Sequence, residues 1–316
     1  MPAPEQLPQA GSALRALASL MRDSRVRYGV PLRELTTLRI GGAAAVVVDL
    51  ESEADLNLLF EWSRVNGWPY FLLGKGSNLL ADDGGYRGVV VRLGRGLSRL
   101  EADPGAATVK AGAGMANAAF VSGCRALGLG GMEFLVAIPG TIGGAIAMNA
   151  GAHDGETAQF LRSVRFYEAS GAIHELPATA FKFAYRSSTL RGQQGRVVLS
   201  GEFSLRPMSQ EDIRQREARF QAYRRETQPR DFPNCGSIFK NPPGEFAARL
   251  IEAAGLKGRQ LGGAQVSEKH ANFIVNRGDA TGSEVLDLID LIRKIVYQEN
   301  GIQLELEMQV MGAGAE

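Results

Sequence analysis

Two hydrophobic periodicities alternate along the first hundred residues. Continuous apolar runs, typical of buried strands, flank a segment with apolar residues at helical spacing. That segment opens with the capping-box pattern Ser52 to Asp55. The pattern predicts, in order, a short amphipathic helix at 13–22, a strand at 43–50, a helix ended by Gly67, and strands at 69–73 and 88–93.

The middle of the chain is dominated by strand patterns, and its composition changes near Pro207. Ser209 and Asp212 form a second capping-box pattern, which opens a charged helix to Thr227. Strands are predicted at 107–111, 163–169, 173–176 and 196–205, the last three in an antiparallel sheet, with a helix at 116–127. After a proline-rich loop we predict helices at 244–254 and 283–298 and strands at 271–276 and 303–310, a small α+β unit.

Composition limits the possible partners. The chain has 316 residues, 45% of them hydrophobic, and a formal net charge of +1, which gives no general attraction to nucleic acid or anionic membranes. No apolar run is long enough to span a bilayer. Two separated cysteines and three isolated histidines fit a reducing cytoplasm and provide no metal-binding spacing.

Two glycine-rich turns are the first candidates for ligand binding. The apolar stretch 133–151 contains Pro139-Gly140 and Gly143-Gly144, which suit either a diphosphate held by backbone N–H groups or a tight turn in the core. The segment 72–80 is a strand that runs into a second glycine turn; it lacks the Walker spacing, and phosphate binding is the favoured interpretation.

A third glycine segment, 112–117, resembles G-x-G-x-x-G but ends in Asn117. The acidic residue expected about 20 positions later would be Glu133, which lies in a turn. A structural strand-to-helix turn is therefore favoured.

Three further segments carry polar side chains that suit chemistry. Arg186, in a loop, is either solvated or a carboxylate clamp. Ser237 has no histidine near it in sequence, so an activated nucleophile is unsupported and a proton donor is possible, while Cys235 is interpreted as a small buried residue. Glu305 and Glu307 are expected on one face of the last strand, either solvated or with one acid of raised pKa.

Taken in order, nine motifs resemble one family, the UDP-N-acetylenolpyruvoylglucosamine reductases, over residues 28–312. The motifs lie at 39–42, 73–78, 130–134, 138–144, 148–151, 185–187, 235–242, 262–270 and 302–307.

The resemblance implies an α+β protein with three parts. Residues 1–27 would be an N-terminal helix or extension, and residues 28–207 an FAD-binding domain of the vanillyl-alcohol-oxidase (PCMH) type with two α+β subdomains. Residues 208–316 would form an α+β substrate-binding domain. The implied enzyme is a cytoplasmic monomer of peptidoglycan precursor synthesis that passes a hydride from NADPH, through non-covalently bound FAD, to UDP-N-acetylglucosamine enolpyruvate.

The resemblance also implies roles for individual residues. Ser237 would donate the proton, and Arg186 and Glu307 would hold the substrate carboxylate and stabilise the charge that develops. The implied substrate contacts are Tyr185, Arg224, Asn241, Lys269 and His270. The implied cofactor contacts are Arg39, Gly74, Lys75, Gly76, Ser77, Asn78, Ile138, Pro139, Gly140, Thr141, Gly143, Gly144, Asn149, Ala150 and Gly151.

The chain departs from the family pattern in three places. It lacks the inserted substrate loop that carries a tyrosine in longer members, Lys75 replaces a frequent glycine, and His153-Asp154 stand where Tyr-Gly is common. Two alternatives are another flavin oxidase or dehydrogenase of the same fold, and a non-enzymatic nucleotide-binding protein.

Overall fold

The computed structural model describes residue 14 and residues 16–103, 105–168, 170–191 and 195–311. Residues 16–20 are helical, and Leu17 is fully buried in the core beside the first sheet. The predicted helix at 13–22 is not helical at residues 21 and 22, and its first residue lies outside the described ranges. Part of the predicted extension at 1–27 also lies outside them.

The first sheet has four strands and confirms the predicted β-α-β unit. The helix Glu53–Asn66 covers one face and contributes Leu56, Leu59 and Phe60 to the core. The first pair of strands is antiparallel and the others are parallel. In spatial order the strands are Arg25–Pro31, Ala43–Leu50, Tyr86–Leu93 and Tyr70–Leu72.

The capping prediction at this helix is half right. Ser52 caps the helix by accepting a hydrogen bond from the backbone N–H of Asp55 at 3.2 Å. The Asp55 carboxylate does not return a bond to Ser52. Instead it accepts from the backbone N–H groups of residues 22–24, at 2.8–3.2 Å, and so fixes the segment before the first strand.

The second sheet is antiparallel, as predicted, and has five strands. Its core is built largely from large aromatic and aliphatic side chains such as Phe120, Phe166 and Phe203. In spatial order the strands are Ile173–Pro177, Leu161–Glu168, Arg196–Ser204, Thr108–Gly112 and Leu100–Asp103. The helices Asn117–Ala126 and Ile142–Met148 contribute to the same core.

The charged helix Gln210–Thr227 begins and ends where the sequence predicts. Its Phe220 lies in the core of the second sheet. The helix therefore packs on the part of the chain that precedes it. The domain boundary between residues 207 and 208 stays a prediction.

The last part of the chain surrounds a three-stranded antiparallel sheet and has its own apolar core. The predicted apolar face of its long helix is confirmed, since Val285, Leu288, Ile289, Ile292 and Val296 are buried. The elements are helices Ala247–Ala253 and Gly282–Asn300 and strands Gln260–Leu261, Ala264–Val266 and Ile274–Asn276.

Three predicted elements in this part are too long, and one of them, the strand predicted at 271–276, is confined to Ile274–Asn276. The helix predicted at 244–254 begins only at Ala247, where the Asn241 side chain accepts the backbone N–H at 3.1 Å. The strand predicted at 303–310 is confined to Gln309–Met311, because the residues before it turn to bond the 238–240 segment. Glu305 is exposed and Glu307 largely buried, so the two acids do not share one environment.

Several short elements connect these parts. Short antiparallel pairs are Leu129–Gly130 with Arg206–Pro207, Gly151–Ala152 with Gly155–Glu156, and Phe183–Ala184 with Ser187–Ser188. Single 3-10 turns are Leu32–Glu34, Arg95–Leu97, Glu133–Ala137, Thr157–Gln159 and Ala178–Ala180. Among the described residues, no helix is long and apolar enough to cross a membrane.

A strand pairing and a helix cap are two of the contacts that attach the part from residue 208 onwards to the part before it. The strand Gln309–Met311 pairs in parallel with Leu79–Ala81. The Asp83 carboxylate caps the helix Gly282–Asn300, accepting from the N–H of Gly282 at 2.7 Å and of Ser283 at 3.1 Å. The free N–H groups at the start of this helix are therefore hydrogen-bonded by a side chain from an earlier part of the chain.

We expect Asp83→Ala to lower the free energy of unfolding by about 1 kcal/mol, because it leaves helix N–H groups without an acceptor. Asp279→Ala is the matched control, since Asp279 is exposed before the same helix and makes no side-chain hydrogen bond within the described chain. Denaturant unfolding of both variants measures the difference. Equal effects would show that Asp83 does not act as a cap.

Candidate active site

A cleft of about 2940 Å³ is lined by residues from both predicted domains, 28–207 and 208–316. Pockets for drug-sized ligands are about 300–1,000 Å³, so this cleft has room for a dinucleotide together with a second large ligand. Every site residue predicted from the sequence lines it except Asn149.

The loop at 74–78 is suited to hold an anion. In the part of the chain that the structure describes, none of its five backbone N–H groups donates to a protein acceptor. Gly76 has a φ of 62°, and a Cβ there would lie 2.3 Å from the carbonyl oxygen of Leu35. Ser77 Oγ donates to the carbonyl of Pro139 at 2.5 Å, which joins this loop to the second glycine turn. Successive free N–H groups in a tight loop form an anion-binding concavity.

The turn at 138–144 is a tight structural turn and also has free N–H groups for a ligand, so both interpretations of its sequence apply. The N–H of Gly143 donates to the carbonyl of Ala113 at 2.9 Å, and that of Gly144 to Thr141 Oγ1 at 3.3 Å. These two groups therefore support the turn. Within the described chain, the N–H groups of Thr141 and of the glycine before it have no acceptor, so they are the ones left for a ligand.

Asn149 is fully buried and does not line the cleft. Its Nδ2 donates to the carbonyl of Ala184 at 3.1 Å, and its Oδ1 accepts from the N–H of Ala158 at 3.0 Å. Asn149 thus holds the hairpin that carries Arg186, whereas Ala150 and Gly151 reach the cleft.

Arg186 and Glu307 form an ion pair in the cleft. Arg186 lies at the tip of the hairpin Phe183–Ala184/Ser187–Ser188, with a φ of 53°, where the sequence predicted only a loop. Its Nε donates to Glu307 Oε1 at 3.1 Å, and its guanidinium lies 4.8 Å from the ring centre of Tyr185. Arg191, which the sequence did not single out, donates to the Arg186 carbonyl at 3.4 Å.

The pKa of the Glu307 carboxyl is raised above its ordinary value, although Arg186 lies beside it. Burial raises its pKa, and the opposing effects of Arg186, Arg191 and Lys240 are smaller. A neutral carboxyl beside a cation is the arrangement that an anionic substrate tolerates, because an ionised one would repel it.

Ser237 enters the cleft from the third part of the chain. The carbonyl of the next residue, Ile238, accepts the backbone N–H of Glu307 at 2.9 Å, so the serine is held beside the segment that carries the acid. Its hydroxyl makes no hydrogen bond to the described residues. Burial raises the pKa of the neighbouring Cys235 thiol to about 12, which argues against a cysteine nucleophile.

Thr37 connects the anion loop to the serine segment, and the sequence did not reveal it. Its N–H donates to the carbonyl of Gly76 at 3.0 Å, and its Oγ1 to the carbonyl of Asn234 at 2.7 Å. No motif predicts such a link, because the two segments are far apart in sequence.

Cationic side chains line another wall of the cleft. Arg224 and Lys269 line the cleft, as does Arg230, which was not predicted, and His270 lies among the lining residues as well. Lys269 Nζ donates to the carbonyl of Arg225 at 2.6 Å, which ties two elements of this wall together. Burial, with the charge of Arg230, lowers the pKa of Arg224, and burial lowers that of His270.

The remaining predicted contacts are less specific. Arg39 is exposed, with a φ of 58°, and Asn241 uses its Oδ1 to start a helix, although both line the cleft. Over the described ranges, no group of three His, Cys, Asp or Glu side chains is placed to hold a metal ion.

Comparison with known proteins first defines a class. The family model described as "FAD binding domain" matches residues 44–177. The anion loop at 74–78 and the 138–144 turn both lie in that range, and their free N–H groups fit the diphosphate of FAD. The chain is therefore an FAD-binding protein.

The family follows from longer matches. The model "UDP-N-acetylenolpyruvoylglucosamine reductase, C-terminal domain" matches residues 228–311. A protein from Heliobacterium modesticaldum with the same enzyme name is 44% identical over 94% of both chains. "UDP-N-acetylenolpyruvoylglucosamine reductase 2" of Symbiobacterium thermophilum is 42% identical over 94% of this chain and 96% of its own. The chain belongs to the UDP-N-acetylenolpyruvoylglucosamine reductase family.

A solved structure agrees with this assignment. The crystal structure of UDP-N-acetylenolpyruvylglucosamine reductase from Thermus caldophilus has a TM-score of 0.78 and 36% sequence identity, covering 92% of this chain and all of that one. These matches confirm the predicted α+β class, with an FAD-binding domain followed by a reductase domain.

The raised pKa of Glu307 predicts a pH dependence of stability. Folding favours the protonated acid, so its stabilising contribution is full below the unfolded pKa, near 4.5, and is lost as pH rises through the folded value. Glu307→Gln cannot ionise. The melting temperature of this variant, relative to wild type, should therefore increase as pH rises.

Thermal unfolding from acidic to neutral pH measures this difference. Glu305→Gln is the control, because Glu305 is exposed and pairs with Lys240 at the surface. If the relative stability of Glu307→Gln falls as pH rises, the carboxylate form is the favoured one and the assignment is wrong.

Proposed function

We propose that the protein uses NADPH to reduce UDP-N-acetylglucosamine enolpyruvate to UDP-N-acetylmuramate in peptidoglycan precursor synthesis. The observation that carries the proposal is the partly buried Arg186–Glu307 pair, which lines one cleft together with Ser237 and the two glycine-rich turns suited to FAD. The enzyme names of the relatives support the same reaction.

The cofactor site provides the redox chemistry. FAD, when bound, supplies hydride transfer, accepting a hydride from NADPH and delivering one to the terminal carbon of the enolpyruvyl group. The free N–H groups of the 74–78 loop and of Thr141 would hold its diphosphate. Their rigid placement fixes where the reacting ring meets the substrate, which is an orientation effect.

The substrate carboxylate would bind between Arg186 and Glu307. The guanidinium attracts it, and the neutral form of Glu307 donates a hydrogen bond to it. When the hydride reaches the terminal carbon, negative charge builds on the adjacent carbon and the carboxylate. Groups already aimed at that charge stabilise it without reorganising, which is usually the largest catalytic contribution.

Ser237 would then give its proton to the adjacent carbon. Its hydroxyl has no hydrogen-bond partner within the described chain, so it is free to turn towards a substrate. A positioned proton donor contributes about 10²–10⁴-fold to rate.

The cationic wall would hold the diphosphate of the substrate. Arg224 and Lys269 are the main candidates, with Tyr185, Asn241 and His270 as further contacts. In this proposal the part from residue 208 binds substrate, residues 28–207 bind FAD, and the enzyme acts in the cytoplasm as a monomer.

Ser237→Ala should slow reoxidation of reduced flavin by the enolpyruvyl substrate about 10²–10⁴-fold and leave reduction by NADPH unchanged. Stopped-flow flavin absorbance measures both half-reactions. Ser204→Ala, outside the cleft, is the control and should change neither. If both half-reactions fall equally in Ser237→Ala, the proton-donor role is wrong.

The competing function is another flavin oxidase or dehydrogenase. It explains the two anion-binding turns but not the clustering of Arg186, Glu307 and Ser237. Oxygen consumption with an alcohol substrate, without reduction of the enolpyruvyl sugar nucleotide, would favour it.

A further inference from the structure

One residue that lines the cleft carries a buried polar atom without a partner. Four buried side-chain atoms of the described chain lack a hydrogen bond: Arg27 Nε, Asn117 Oδ1, Ser200 Oγ and Glu217 Oε1. Of these four residues, Asn117 alone lines the cleft, and it is only 1% exposed. A buried acceptor without a partner is costly, so each such atom calls for an explanation.

Asn117 lies where the two anion-binding segments meet. Its backbone N–H donates to the carbonyl of Gly140 at 3.1 Å, and its Nδ2 to the carbonyl of Ile138 at 3.0 Å. A Cβ on Gly140 would lie 3.1 Å from Asn117 Nδ2 and 3.9 Å from Ser77 Oγ. The amide therefore sits beside both the 138–144 turn and the 74–78 loop.

The orientation of the amide decides what Oδ1 can bind. Because Nδ2 is used by the Ile138 carbonyl, the side chain cannot flip without losing that bond. Oδ1 is an acceptor only and requires a donor. An ionised diphosphate offers no hydrogen-bond donor, whereas the sugar hydroxyls on either side of it can each donate one.

We propose that Asn117 is a positioning residue for FAD, whose Oδ1 accepts a hydrogen bond from a sugar hydroxyl next to the diphosphate. The hydroxyl belongs to either the ribityl chain or the adenosine ribose. The inference rests on the proposed binding of FAD in this cleft. It gives a ligand-binding role to the residue that the sequence placed in a structural turn.

The test measures binding of FAD and two analogues to the full-length protein freed of flavin. One analogue lacks a ribityl hydroxyl next to the diphosphate, and the other lacks a ribose hydroxyl of the adenosine. Wild type should bind one of the two about tenfold more weakly than FAD, the effect of one lost hydrogen bond. Which analogue is affected identifies the hydroxyl.

Asn117→Leu should bind FAD about tenfold more weakly than wild type does, and it should no longer bind FAD more tightly than that analogue. Asn117→Ser provides the same test if the larger change impairs folding, which thermal unfolding of the apoprotein reports. Ser200→Ala is the matched control, because it removes an unpartnered buried atom outside the cleft and should keep both the affinity and the preference.

Two outcomes would overturn the inference. One is a wild type that binds FAD and both analogues equally, which would show that water satisfies Oδ1. The other is an Asn117 variant that keeps the wild-type preference. A wild type that binds no FAD would instead overturn the proposed function, so the two failures are distinguishable.

Discussion

The parallel pairing of Gln309–Met311 with Leu79–Ala81 is the contact on which the site depends. The second of these strands follows the anion loop directly, so the pairing brings the end of the chain to that loop. The N–H of Gln309 donates to the carbonyl of Asn78 at 3.0 Å, and Asn78 Nδ2 donates to the carbonyl of Glu307 at 3.2 Å. The acid is thereby fixed beside the cofactor loop, more than 200 residues away in sequence.

The same pairing places Glu307 in a position where burial raises the pKa of its carboxyl. Once Glu307 is held against the loop, it loses water, and burial raises its pKa despite Arg186. Arg186 arrives from the second part of the chain on a hairpin that the buried Asn149 holds. Ser237 arrives from the third part through the backbone of Ile238. Three separate segments converge because hydrogen bonds to their backbone hold each of them, some from backbone groups and some from the side chains of Asn78 and Asn149.

Local patterns predicted several of the long elements: the continuous apolar run Ala43–Leu50 forms a largely buried strand, and apolar residues at helical spacing form the buried face of Gly282–Asn300. They failed at 303–310, where tertiary hydrogen bonds replace a continuous ladder. Site residues in motifs, such as Arg186 and Ser237, were accessible through family resemblance. Thr37 and Asn117 were not, because their roles arise from contacts between distant segments, and nothing in local spacing encodes such contacts.

The central claim is that one cleft carries a hydride from NADPH to an enolpyruvyl sugar nucleotide by way of FAD. Its most direct test is the visible absorbance of the purified protein without oxygen, before and after NADPH and then after the substrate. The account predicts flavin absorbance that NADPH bleaches and the substrate restores. A colourless protein that cannot take up FAD, or reduced flavin that only oxygen restores, would contradict it.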